Sequence, residues 1–93
     1  MGQFAKHIDA ILRAAHNRRI QALAIGRRFI ESILDPPARI ASPFLRAHER
    51  ETHRFDVAAE VIDRNGDRRE IVLDVDAKRR QVRACDIDGI RIT

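Results

Sequence analysis

Residues 55–75 read FDVAAEVIDRNGDRREIVLDV, and the spacing of their apolar positions decides the fold. Phe55, Val57, Ala59 and Val61 alternate with other residues before the turn Arg64-Asn65-Gly66, and Ile71, Leu73 and Val75 alternate after it. Alternation with a period of two is the mark of a strand with one buried face, and Asn-Gly between two such runs marks a hairpin. The length of the loop can be read from register, because a slip of one residue turns every side chain to the opposite face. A loop made of Asn65 and Gly66 alone sets Val57 against Asp74. Adding Arg64 to the loop, with Gly66 in the left-handed conformation, sets Phe55 against Val75, Val57 against Leu73 and Ala59 against Ile71 on one face. The longer loop is therefore predicted.

Downstream, a turn at residues 77–80 pairs Val75 with Val82 and Leu73 with Ala84, and sets Asp74 opposite Arg83 on the other face. Asp88-Gly89 bends the chain, and Ile90 and Ile92 follow as a last short strand or as an extension of the third. In this register Ala58, Ile62, Val72, Cys85 and Ile87 lie on the outer face of the sheet, with Val72 opposite Cys85. An exposed apolar patch of this kind marks a contact surface, and a two-fold homodimer is its commonest solution. Ile62, Val72, Cys85 and Ile87 are the expected dimer interface, with residues 38–45 as the alternative cover.

Upstream the period changes to that of a helix. Phe4, Ile8, Ile11, Leu12, Ala15, Ala22, Leu23, Ile25, Phe29, Ile30 and Ile33 recur at three- and four-residue intervals, which draws one apolar stripe along residues 4–34. The stripe predicts one continuous helix, weakest at residues 16–19, where Arg18 and Arg19 fall on the apolar side. Asp35 precedes Pro36 and Pro37 and is pushed out of the α region, so the helix ends at about Leu34. Within the connector, residues 36–52, Ser42 and Pro43 supply an N-cap and a first-turn proline for a short helix running to about His48. The predicted fold is one α+β domain over residues 1–93: a long N-terminal amphipathic helix packed on a three- to four-stranded antiparallel meander over residues 54–92.

The 93 residues suffice for one core and no more. Cys85 is the only cysteine, which rules out an internal disulfide and a thiolate zinc cage and suits a reducing compartment. No long apolar run and no signal-peptide order appear, so a cytoplasmic location without membrane contact is expected. The net charge of +4 is unevenly spread: residues 1–54 carry ten basic and five acidic side chains, residues 55–93 eight and nine. Lys6, Arg13, Arg27 and Arg28, joined by Arg18 and Arg19, form the basic face of the helix and the expected contact with an acidic protein or a nucleic acid.

Other candidate chemistry falls away on spacing. His48 and His53 resemble an HExxH pair but stand five residues apart, about 140° apart around a helix, and cannot share a metal. Asp74, Asp76, Asp86 and Asp88 lack the closing glutamate of a calcium loop. Gly2, Gly26, Gly66 and Gly89 are too scattered for a phosphate loop, and no metal or cofactor is expected. The hairpin at residues 72–78 resembles the sheet of PepSY-like domains, and residues 82–92 resemble the last strand of NTF2-like folds; neither short likeness implies a function for this chain. The expectation is a non-enzymatic binding or regulatory module, homodimeric. The alternatives are a small cystatin-like or NTF2-like ligand-binding or catalytic domain and a compact inhibitor of a macromolecule.

Overall fold

The structure, a computed structural model, describes the backbone of residues 2–87 and 90–92 and the side chains of residues 6–87. Helix α1 runs Gly2–Ile33 and is followed by strands β1 (Arg39–Ile40), β2 (Arg46–Glu51), β3 (Arg54–Ile62), β4 (Arg68–Asp76), β5 (Gln81–Ile87) and β6 (Ile90–Ile92). The strands form one antiparallel sheet, in which β3, β4, β5 and β6 follow one another and β1 and β2 share the outer edge of β3. The expected α+β architecture is present: one long helix lies on an antiparallel sheet. The helix passes through residues 16–19 without a break and stops one residue short of Leu34, ahead of Asp35 and the two prolines.

The central hairpin follows the register derived from its alternation. Phe55 pairs with Val75, Val57 with Leu73 and Ala59 with Ile71. The Asp63 N–H donates to the Asp67 carbonyl at 2.9 Å, which leaves Arg64, Asn65 and Gly66 as the loop, and Gly66 has φ 85°. Asp63 holds the loop closed, since one carboxylate oxygen accepts the N–H groups of Asn65 and Asp67, each at 2.9 Å, and the other accepts Arg69 Nε at 2.8 Å. The Arg69 contact first, then these backbone bonds, holds the Asp63 carboxyl below its ordinary range.

The second hairpin departs from the sequence reading after its first pairs. Val75 faces Val82 as expected, but the next pair is Asp74 with Ala84, so Arg83 is an extra residue on β5 with no partner across the ladder. Every later residue of β5 is thereby turned over. Leu73 pairs with Cys85 instead of Ala84, Val72 faces Asp86 instead of Cys85, and Ile87 faces Ile71. Cys85 is 1% exposed within the core, and Ile87 packs against that core. Of the four residues expected at the dimer interface, only Ile62 and Val72 keep the outer side.

The connector is the other correction. Residues 36–52 hold no α-helix; Arg39–Ile40 and Arg46–Glu51 are strands that hydrogen-bond along β3, with Ile40 opposite Val61 and Ala47 opposite Val57. Ser42 does act as a local cap, its Oγ accepting the Phe44 N–H at 3.3 Å, but the turn it makes leads into a strand. Phe44 is 81% exposed and lines a hollow with Arg46, Ala58 and Glu70 at the edge of the outer face, short of Val72. Asp88 and Gly89, read as a bend, lie outside the described residues; Ile90 and Ile92 lie in β6, paired with Ile87 and Cys85.

The core comprises Ala22 and Ile30 of α1 with Phe55, Val57, Ala59, Val61, Ile71, Leu73, Val75, Ala77 and Cys85 of the sheet. Helix and sheet meet most closely at Gly26, where an added Cβ would stand 2.8 Å from Val57 Cγ1 and 3.5 Å from Leu73 Cδ1. Gly26→Ala should therefore be destabilising by up to about 2 kcal/mol, because overpacking at about 1–3 kcal/mol exceeds the helix-propensity gain of about 1 kcal/mol. Thermal unfolding of the variant checks the sign. The register of β5 has its own test. Burial and the nearby Asp86 raise the Cys85 thiol pKa, so a thiol reagent should label it only at the rate of unfolding. Rapid labelling of the native protein would return Cys85 to the outer face.

Candidate functional site

At about 1.5 Å per residue a helix as long as α1 spans close to 48 Å, more than the sheet beneath it can cover. The molecule is accordingly elongated, 57 × 24 × 19 Å. The row formed by Ala22, Gly26 and Ile30 points into the sheet. Followed toward the N terminus at about 100° per residue, the same face carries Ala15, Leu12, Ile11 and Ile8. Ala15 meets the end of the sheet beside Phe55, and no described residue covers Leu12, Ile11 and Ile8. Ile8 is 42% exposed, Ile11 55% and Leu12 62%, and every described side chain from Lys6 to Ala14 is exposed. One apolar stripe thus serves two purposes, buried in its C-terminal half and open in its N-terminal half.

The boundary between the halves is an ion pair. Arg18, which breaks the apolar stripe in sequence, reaches across to β2, where its Nε lies 3.0 Å from Glu49 Oε2. Both side chains are about three-quarters covered. The Arg18 hydrogen bond is the first cause of a lowered Glu49 pKa. Beside the pair, Ala15, His16, Arg19, Glu49 and Phe55 line a small hollow at the end of the sheet.

The six basic residues expected to act together do not form one surface. Lys6 and Arg13 lie on the side of α1 away from the sheet, Arg27 and Arg28 lie on its two flanks, Arg18 is committed to Glu49, and Arg19 falls within the stripe. Arg13 pairs with Asp9 at 3.1 Å, and Arg27 faces Glu31 at 4.0 Å and donates to the Pro43 carbonyl. Lys6, Arg19 and Arg28 make no ion pair among the described residues.

The outer face of the sheet carries a charge lattice in place of the apolar patch. Arg50 reaches Asp56 and Asp74, each at 3.0 Å, and Arg54 Nη2 donates to Asp74 Oδ2 at 2.9 Å. The Arg50 approach to Asp74 Oδ1 is an ion pair without hydrogen-bond geometry, since that oxygen has no hydrogen-bond donor. Arg46 with Glu70 at 2.9 Å and Arg68 with Glu60 at 2.7 Å extend the lattice. Ala58, Ile62 and Val72 sit between these pairs, half-buried. The acids of this face are thus engaged by arginines, including Arg50 and Arg54, for which the sequence alone gave no role. Among the described residues no three His, Cys, Asp or Glu converge as metal ligands, and no helix is long and apolar enough to cross a membrane.

One sequence-silent feature is a cleft of about 440 Å³ between α1 and β5, lined by Gln21, Ala24, Ile25, Arg28, Phe29, Ser32, Arg80 and Val82. It joins residues more than fifty positions apart, so no local pattern signals it. No family model, no curated protein and no solved structure matches the chain.

The Arg18–Glu49 clamp has a pH signature. A carboxyl with a lowered folded pKa contributes stability that is present above its unfolded value, near pH 4.5, and lost as pH falls through the folded value. Glu49→Gln should be less stable than the wild type at neutral pH, and the gap should close as pH falls through and below the ordinary carboxylate range. Urea unfolding at neutral and acidic pH measures this directly; a gap that is independent of pH would show that the clamp contributes through packing alone.

Proposed function

We propose that the protein is a non-enzymatic binding module that works as a homodimer, joined by the projecting half of α1. The observation that carries this reading is the open stripe of Ile8, Ile11 and Leu12, a continuation of the row that buries Ala22 and Ile30. A helix end surrounded by water gains nothing from three large apolar side chains on one line, and a contiguous patch of this kind marks a contact surface. A two-fold axis between Ile8 and Ile11 lays two projecting helices antiparallel, with Ile8 against Ile11 of the partner subunit. Such a contact extends over only about 20 Å of helix and is smaller than the roughly 1,200–2,000 Å² of a stable complex, so the dimer should come apart on dilution.

Pairing through the stripe leaves Lys6 and Arg13 on the outward side and Arg27 and Arg28 on the flanks, where they suit an acidic partner. An acidic protein surface is the favoured complement, since no Phe among the described residues stands in this row to stack bases. A nucleic acid would announce itself by binding that falls steeply with salt.

Sedimentation velocity over a range of protein concentrations tests the dimer. Leu12→Asp should leave a folded monomer, since the charge is tolerated in water and rejected in the interface. Val72→Asp, on the outer sheet face, should leave association unchanged. A wild-type protein that stays monomeric at every concentration would overturn the proposal, and dissociation by Val72→Asp alone would move the contact to the sheet.

A further inference from the structure

We infer that the cleft between α1 and β5 is a binding site for an extended peptide that carries a carboxylate, added as a further strand along the open edge of β5. Three independent features meet there. The first is an unpaired strand edge. Strand β6 pairs only with Cys85, Asp86 and Ile87, so residues 81–84 have no neighbour on that side among the described residues. An edge of this kind offers N–H and carbonyl groups to an incoming strand. The second is an apolar floor beside the edge: Ile25 and Phe29 of α1 and Val82 of β5 pack against the core yet remain half-exposed in the cleft. The third is charge. Arg28 on the helix and Arg80 on the turn both line the cleft, no acid lines it with them, and neither makes an ion pair among the described residues.

The geometry points to the chemistry of the occupant. Side chains of an added strand alternate, so every second residue of the peptide faces α1 and an apolar one there packs on Val82, Ile25 and Phe29. The rim is made of two guanidiniums, and each presents a planar fork that suits a carboxylate. The favoured peptide is therefore apolar at alternate positions with a carboxylate, from its C terminus or an acidic side chain, at the rim. The turn that carries Arg80 is held open toward the cleft by the chain itself: Asp76 accepts the N–H groups of Lys78 and Arg79, each at 3.0 Å, and Arg80 takes the left-handed conformation with φ 55°. This site lies on the sheet-covered half of α1 and does not depend on the dimer contact; the Leu12→Asp protein should bind equally well.

A library of randomised peptides displayed with free C termini supplies the probe, and fluorescence anisotropy of the enriched peptides supplies the readout. The expected result is enrichment of alternating apolar sequences ending in, or close to, a carboxylate. Arg28→Glu should weaken them about tenfold or more, the scale of losing one charge-assisted contact. Arg80→Gly, which suits the left-handed backbone at that position, should do the same without disturbing the turn. Arg64→Glu, in the loop of the central hairpin and outside the lining of the cleft, should leave binding unchanged. Methylating alternate backbone nitrogens of the peptide should abolish binding if it joins the sheet. No enrichment, or enriched peptides indifferent to Arg28→Glu and Arg80→Gly, would overturn the site; full affinity of both methylation registers would overturn strand addition.

Discussion

The contact at Gly26 governs the geometry of the whole molecule. Only a residue without a side chain lets α1 come down onto Val57 and Leu73, and the closeness of that approach sets which face of the helix is buried. With Gly26 seated, Ala22 and Ile30 fall one turn to either side and are sealed against the sheet. The helix cannot then slide or roll, and its surplus length has to emerge at one end. That is why the apolar stripe runs out beyond Phe55 at the sheet's end, and why the clefts lie along the flanks of the helix and not beneath it.

Charge is arranged around this contact instead of being spread evenly. Arg18 and Glu49 close the exit where α1 leaves the sheet, with an acid from the edge strand β2 meeting an arginine that interrupts the stripe. On the outer sheet face, Arg50 and Arg54 converge on Asp74, and Arg46 and Arg68 bind the glutamates that flank Ala58. These pairs are partly screened by water and each adds little stability. Their effect is on specificity: an outer face covered by paired charges is a poor site for apolar association, which leaves the projecting helix as the larger continuous apolar surface open to water.

The single extra residue Arg83 in β5 has consequences out of proportion to its size. It turns Cys85 and Ile87 inward, where they complete the core under α1, and brings Ala84 and Asp86 to the outer face. The apolar patch read there from unbroken alternation loses Cys85 and Ile87, two of its five members, by this one insertion. It also places Arg83 outside the ladder just after Val82, at the stretch of β5 that faces the open edge.

The local chemistry of the sequence determined the helix, the central hairpin and its loop. Each is written in neighbouring residues: a stripe at helical spacing, two runs of alternation and a glycine where the loop must turn left-handed. Tertiary structure alone decided the rest. Arg46–Glu51 reads RAHERE, without an alternating apolar face, and becomes a strand because the edge of β3 supplies its hydrogen-bond partners. The bulge at Arg83 has no glycine or turn residue to mark it, since it is chosen by the need to bring Cys85 and Ile87 under the helix. The open stripe, the α1–β5 cleft and the Arg18–Glu49 clamp depend on where the sheet ends beneath α1. That is a relation between distant segments, and no window of sequence contains it.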